Sequence, residues 1–192
     1  MKKLILILFI IINGVWASAQ KTDSSVSRSV SIKNSALAMS PSNNMLDNLS
    51  ASPDFSILVN AIKTADLANT FTGTGPITVF APTDKAFTKL AYGQLDTLLQ
   101  PAHKAELANL IMYHAIAGKI TSKDIDRQIK AGNGQATLTT LAGGTLTARI
   151  NENRNIVLTD ENGGQSVISR FNIPQSNGIM HMITVVLVPH SK

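Results

Sequence analysis

The stretch Thr78-Val79-Phe80-Ala81-Pro82-Thr83-Asp84-Lys85-Ala86-Phe87 predicts a buried strand that turns directly into a helix. Its β-branched and aromatic start favours a pleated strand. Pro82 lacks the amide proton that a continuing ladder needs, and it holds the residue before it in an extended conformation. We expect the hydroxyl of Thr83 to cap the following helix, with Asp84 in its positively polarised first turn. Phe87 then lies one turn along, ready to pack under the strand, so the stretch predicts a packing junction.

This junction resembles the first signature of the fasciclin-like domain family, which reads Thr-Val-Phe-Ala-Pro-Thr, two variable residues and Ala-Phe. Tyr113-His114 resembles the central Tyr-His pair of that family, and residues 177–189 resemble its closing signature. The three segments stand in the family's order and bracket a match from Met45 to Pro189. The resemblance implies a structural role for Thr78, Val79, Phe80, Ala81, Pro82, Thr83, Ala86, Phe87, Tyr113, His114, Asn177, Gly178, His181 and Pro189.

The order of the predicted elements indicates an α+β fold. Apolar residues at helical spacing over 55–62 and 107–114 place helices in the first half, and we expect Ser122 to cap a further one. Short alternating runs between turn residues place strands in the second half. Residues 183–188 carry five aliphatic side chains among six, which predicts a central strand buried on both faces. The resemblance implies the same class of fold, a compact wedge of mostly antiparallel β-strands with α-helices packed on one side.

The N-terminus predicts export. Met1-Lys2-Lys3 is a short positive region, and residues 4–12 are an unbroken apolar run that is short for a membrane span. Ala17-Ser18-Ala19 matches a signal-peptidase cleavage site. We therefore expect residues 1–19 to be a signal peptide of bacterial type. The mature chain would be secreted, periplasmic or associated with the cell surface, with no membrane span after cleavage.

Composition narrows the class of partner. Residues 20–44 are rich in serine and asparagine without a sustained period, which predicts a flexible arm before one domain over residues 45–190. Without the two leader lysines, 15 lysines and arginines face 12 acidic residues. No dense basic block interleaves with aromatic residues, so nucleic acid is not an expected partner. The chain has no cysteine, which excludes disulfide bonds and thiolate chemistry.

Histidine is the residue type best suited here to catalysis or metal binding. The spacing of the four histidines matches no metal-binding motif. We expect His103 and His190 to be solvated, and His114 and His181 to donate hydrogen bonds to buried backbone carbonyls. No serine lies in a Gly-x-Ser-x-Gly motif, and the turn at residues 160–162 has too few oxygen ligands for calcium. The sequence therefore predicts a protein that is not an enzyme and has no metal or cofactor.

Adhesion by animal members of the family is tied to an Asp-Ile pair before the closing signature and to the Tyr-His region. In this chain Asn172 stands where the acid would be, and Ile173 keeps its place. An amide cannot supply a carboxylate to a metal-dependent receptor, so integrin-type adhesion is not expected. The candidate interaction positions are Asn172, Ile173, Tyr113 and His114.

The resemblance thus implies a non-enzymatic extracellular adhesion or interaction module. Its partner would be an extracellular protein, a surface polysaccharide or a second copy of the chain. The alternative is a carrier for a small apolar or haem-like molecule, held in a cleft between the helices and the sheet. Such a cleft would be lined by Met39, Met112, Met180 or Met182, although methionines at these spacings more often fill a core.

Overall fold

Seven strands form one mixed sheet in the computed structural model, which describes residues 39–190. Their spatial order is β2-β1-β7-β6-β5-β4-β3, and every neighbouring pair is antiparallel except β1 and β7, which are parallel. The strands are β1 (Ile77–Pro82), β2 (Ala115–Ala117), β3 (Ala136–Thr139), β4 (Thr145–Ile150), β5 (Ile156–Thr159), β6 (Gln165–Gln175) and β7 (Gly178–Ile183).

Helices fill most of the first half of the described chain, which confirms the α+β class predicted from the sequence. Two short 3-10 turns, Pro53–Phe55 and Pro101–His103, lead into the helices that follow them. The α-helices are α1 (Met45–Ala51), α2 (Ser56–Thr64), α3 (Ala68–Thr72), α4 (Asp84–Phe87), α5 (Gln94–Leu98), α6 (Lys104–Tyr113) and α7 (Ser122–Ala131).

Strands β1 and β7 separate two hydrophobic cores. On one side Val79 and Met180 pack with the helices α1 to α6 in what we call the helical core. On the other side Phe80 and Ile183 pack with α7 and the inner faces of β3 to β6, in what we call the sheet core. All six residues of β1 are buried. The central strand pair is therefore covered on both faces, and its two polar residues, Thr78 and His181, are buried with the apolar ones.

The junction after β1 differs in one detail from the sequence prediction. Thr83 is the N-cap of α4, but its hydroxyl makes no capping hydrogen bond. The carboxylate of Asp84 reaches the start of α2 instead, where it accepts hydrogen bonds from Ser56 Oγ at 2.6 Å and Ile57 N at 2.9 Å. The single turn of α4 thus places an acid at the positive end of a neighbouring helix, which stabilises the packing of the two helices.

The prediction of a strand at residues 183–188 was wrong, because the strand lies earlier in the chain. β7 ends at Ile183, and the next residues leave the sheet. Their amides bond to side chains: Leu187 N donates to His114 Nε2 and Val188 N to Asp160 Oδ2. The segment is apolar because Val186 enters the helical core and Leu187 the sheet core.

Two further boundaries differ from expectation. Thr121, rather than Ser122, caps α7, and it forms a reciprocal capping box with Asp124. Residues before Met45 belong to the folded part, since Asn44 caps α1 and the carbonyl of Asn43 accepts a hydrogen bond from Ser176 N. Ser40 is also bonded to the side chain of Asn48, so residues 40–44 are part of the folded region. The expected signal peptide and the rest of the arm, residues 1–38, lie outside the described part of the chain.

Candidate interaction surface around the closing signature

Tyr113 lies at the centre of the sheet core and joins two loops. Its hydroxyl donates to the carbonyl of Thr145 at 2.7 Å and accepts from Glu161 N at 3.2 Å. Burial raises the pKa of the phenol to about 12, so the hydroxyl stays protonated at neutral pH. A Cβ atom added at Gly144 would lie 2.8 Å from the Tyr113 ring, so only glycine fits beside this ring. Tyr113 therefore holds the start of β4 against the β5–β6 turn.

His114 connects the end of α6 to the C-terminal segment. The amide of Leu187 can only donate, so Nε2 of His114 accepts at 3.0 Å and Nδ1 carries the proton that is donated to the Leu110 carbonyl at 2.8 Å. The residue is 1% exposed. Burial lowers the pKa of the imidazole from 6.5 to about 4, so the ring is neutral at physiological pH. In this neutral form each ring nitrogen has one hydrogen-bond partner.

His181 repeats this pattern on the opposite side of β1. Its Nε2 donates to the carbonyl of Ile120 at 2.9 Å, and its Nδ1 faces Asn172 N at 3.4 Å. The ring stacks on Phe80 with a centroid distance of 5.5 Å and meets the edge of Phe171 at 6.2 Å. Burial lowers the pKa of this imidazole as well. Three rings in contact, one pair stacked and one pair edge to face, thus lead from the sheet core to the surface.

The remaining polar signature residues also bond inward. Thr78 Oγ1 donates to the Gly118 carbonyl at 2.7 Å and accepts from Ile120 N at 2.8 Å. Asn177 Oδ1 accepts from Met45 N at 2.9 Å, and its amide nitrogen donates to the carbonyls of Phe71 and Gly73. Gly178 sits where an added Cβ would overlap the carbonyl of Ile77, because β7 pairs closely with β1 there. Pro189 is half-buried and lines a groove together with Leu98 of α5 and Leu110 of α6.

Strand β6 carries an irregularity that reaches the surface. Its register with β7 shifts twice between Ile168 and Ile173, and we call residues 169–172 the β6 bulge. Phe171 is 37% exposed on this bulge. Asn172 is exposed and has φ +57°, a left-handed conformation that asparagine tolerates better than most residues.

The side chain of Asn172 ties the bulge to α7. Its Oδ1 accepts from Ser122 N at 2.9 Å, and its Nδ2 donates to Ser122 Oγ at 2.7 Å. Ser122 N is one of the helical amides that lack an intrahelical acceptor, so Asn172 acts as a cap supplied from another element. The β6 bulge is consequently held by two neighbours, His181 of β7 and Ser122 of α7.

Only one of the four candidate interaction positions is accessible. Tyr113, His114 and Ile173 are buried, so a partner cannot reach them in this conformation. Asn172 is exposed, and its neighbour Phe171 was missed in the sequence analysis. The signal for Phe171 was weak, since a large aromatic residue in a predicted strand is more often buried than exposed. In the structure it lies out of phase with the buried Ser166 and Ile168, next to the register shifts of β6.

Three of the four methionines of the carrier hypothesis lie in or against the helical core rather than around a cleft. Met180 is fully buried in the helical core, and Met39 and Met182 pack against the same core. A groove of about 520 Å³ lies instead between α5, α6 and the C-terminal segment, where Leu98, Leu110 and Val188 line it. Near it, Tyr92 is wholly exposed at the loop before α5.

The other titratable groups are dispersed. His103 Nδ1 lies 3.1 Å from Glu106, and His190 lies at the surface beside Asn162. Across residues 39–190, histidine, aspartate and glutamate side chains nowhere gather in threes as a metal ion would require. Over the same range, the helices are too short or too polar to cross a membrane.

Comparison with known proteins agrees with this geometry. The Fasciclin domain family model matches residues 53–189. The Synechocystis protein sll1483 is 35% identical over 135 residues, covering 70% of this chain and 67% of its own. The pig transforming growth factor-beta-induced protein ig-h3 is 32% identical over 149 residues, covering 78% of this chain but 20% of its own.

The same fold occurs in a solved structure, a FAS1 domain pair from the insect cell adhesion molecule Fasciclin I. It aligns with a TM-score of 0.66 and 22% identity over 76% of this chain and 51% of that one. The present chain thus corresponds to one part of the longer animal proteins. Its signature residues, its fold and its bacterial relative agree, and the chain belongs to the fasciclin domain family.

Proposed function

We propose that this protein is a non-enzymatic extracellular adhesion module that binds a protein partner through the β6 bulge. The observation that carries the proposal is the exposed ring of Phe171 beside Asn172. The backbone there is held by hydrogen bonds that join Asn172 to Ser122 of α7 and to His181 of β7. Aromatic side chains that lie on rigid supports often dominate protein interfaces, because little entropy is lost when they bind. Family membership supports the extracellular and adhesive setting.

The buried histidines support a binding role rather than catalysis. A general base must reach a substrate with a free lone pair. The acceptor nitrogen of His114 faces Leu187 N, and that of His181 faces Asn172 N. Both rings are closed off from solvent. Both histidines therefore use their ring nitrogens to stabilise the fold that supports the β6 bulge.

Integrin-type adhesion is not part of the proposal. A metal-dependent receptor needs a carboxylate, whereas Asn172 offers an amide. Both polar atoms of that amide already bond Ser122. Attachment of cells to this protein should therefore not require divalent cations.

The test is capture of surface proteins from the native cell on the immobilised mature chain. Phe171→Ser should reduce capture of the specific partner about tenfold or more, as expected for an interface anchor. Tyr92→Ser is the matched control, since it removes another exposed aromatic ring away from the bulge. Equal capture by wild type and Phe171→Ser, or equal loss in the two variants, would refute the role of the bulge.

The groove between α5 and α6 favours a second candidate function, the binding of a small apolar molecule. Its volume of about 520 Å³ falls within the range of small-ligand sites. Protein purified from its own cells should then carry a ligand that organic solvent extracts and mass spectrometry detects. Leu98→Asp should abolish that cargo, and a wild type without cargo would contradict the carrier role.

A further inference from the structure

The outer face of strands β3 to β6 carries polar side chains in straight rows. The sheet register aligns Thr137 with Thr147, Thr147 with Thr159, and Thr159 with Gln165. These four side chains are exposed or half-exposed, while the residues that alternate with them face the sheet core. We call them the threonine row. It runs across four strands rather than along one.

A second row lies beside the first. It holds Arg149, Val157 and Val167, which the register again places side by side. Gln135 extends this row, because its side-chain oxygen accepts a hydrogen bond from Arg149 at 2.5 Å. A shallow concavity of about 330 Å³ opens where the two rows meet, and Ile150 and Asn151 also line it.

The groups on the threonine row are available to a ligand. Within the described part of the chain, the hydroxyls of Thr137, Thr147 and Thr159 form no hydrogen bond with other protein groups, whereas Thr145, outside the row, bonds Glu161. Each free hydroxyl can donate one hydrogen bond and accept others. Their methyl groups and the two valines add small apolar surfaces between the polar atoms.

The spacing of the row points to the ligand. Neighbouring strands lie about 4.8 Å apart, so the row presents one hydroxyl or amide at each such step. This step is close to the length of one pyranose ring along an extended polysaccharide. A sugar chain that lies across the strands would therefore meet one polar side chain per ring, with the C–H faces of the rings on the methyl groups.

Charge selects the kind of sugar. Arg149 is the cation of the concavity and can pair a carboxylate through its planar fork of donors. Glu161, in the turn between β5 and β6, accepts hydrogen bonds from Thr145 N and Thr145 Oγ1. We propose that the threonine row and Arg149 form a binding site for an extended acidic polysaccharide built of hexuronic acids. This site is separate from the β6 bulge and does not depend on the protein partner proposed above.

The experiment is affinity electrophoresis of the mature chain in gels that contain polygalacturonate, alginate or neutral dextran. Wild type should be retarded by one of the two acidic polymers and not by dextran. Arg149→Gln and the double variant Thr147→Val, Thr159→Val should each weaken retardation about tenfold, since each removes hydrogen bonds to the ligand. Valine keeps the shape and strand preference of threonine, so these variants retain the fold.

Matched controls separate a site from general charge attraction. Arg127→Gln removes the same charge from α7, which packs on the inner side of the sheet, and Thr97→Val removes an exposed hydroxyl from α5. Both should bind as wild type does. No retardation of wild type, retardation by dextran to the same degree, or an equal loss in Arg127→Gln would overturn the proposal. Phe171→Ser should keep polysaccharide binding, so failure here is distinguishable from failure of the adhesion proposal.

Discussion

Replacing His114 by alanine should lower the free energy of unfolding by about 3 kcal/mol at pH 7.5. The change leaves Leu187 N buried without an acceptor, which costs about 1–3 kcal/mol. It also removes the hydrogen bond to Leu110 and leaves a cavity where the imidazole was packed, which adds about 1 kcal/mol. In a domain of this size, such a loss corresponds to a fall in melting temperature of about 6–12 °C.

The effect of the His114 variant should depend on pH. The folded state holds the pKa of His114 at about 4, below its ordinary value of 6.5. Between these values the unfolded chain binds a proton that the folded chain does not, so wild-type stability falls as pH drops from 6.5 to 4. The difference of about 2.5 pKa units corresponds to about 3 kcal/mol. Protonation would give both ring nitrogens a hydrogen and turn one against Leu187 N.

The two effects meet in one measurement, urea unfolding of wild type and His114→Ala at several pH values. The gap in stability should be about 3 kcal/mol at pH 7.5 and should nearly vanish at pH 4. His181 has a lowered pKa in both proteins, so its contribution cancels in the comparison. His103→Ala is the control, because His103 lies at the surface. A gap that stays constant across the pH range would refute the argument for a buried neutral imidazole.

Three further predictions concern single contacts. A chain that begins at Met45 should melt about 4–8 °C below one that begins at Met39, because it lacks the Asn44 cap and the hydrogen bonds of the residues before it. Calorimetry measures the difference, and equal melting temperatures would show that residues 39–44 do not stabilise the domain. Asn172→Asp should keep or raise the melting temperature at pH 7, since a carboxylate also tolerates φ +57° and suits the start of α7; a clear loss would contradict the capping role. Gly178→Ala should abolish the folded circular dichroism spectrum, whereas Gly75→Ala, with open space around it, should leave the spectrum unchanged; a folded Gly178→Ala protein would show that β1 and β7 can separate.

Local sequence patterns predicted the parts of this protein that depend on neighbouring residues. The junction at residues 78–87 forms a buried strand followed by a helical turn, as its residue types require. The α+β class followed from the positions of helical and alternating patterns, and the family from three signatures in order. These features could be predicted because propensity, proline geometry and apolar spacing act over a few residues.

Capping and strand position were less predictable, because each depends on a partner that is distant in sequence. Asp84 could have served its own helix but caps α2, which packs beside it. Residues 183–188 have the composition of a central strand, yet side chains of His114 and Asp160 take their amides. The apolar pattern predicted the burial of Ile183, Val186 and Leu187, but it could not predict which groups would accept these hydrogen bonds.

The candidate surfaces show the same division. Sequence patterns alone were enough to predict the family, the fold class and the buried hydrogen bonds of His114 and His181, since buried polar groups must find partners. Only the tertiary structure decided what faces outward. Phe171 is exposed beside the register shifts between β6 and β7, and the threonine row exists because four strands align their outward positions. Strand register is a property of paired strands, so no single segment of the sequence contains it.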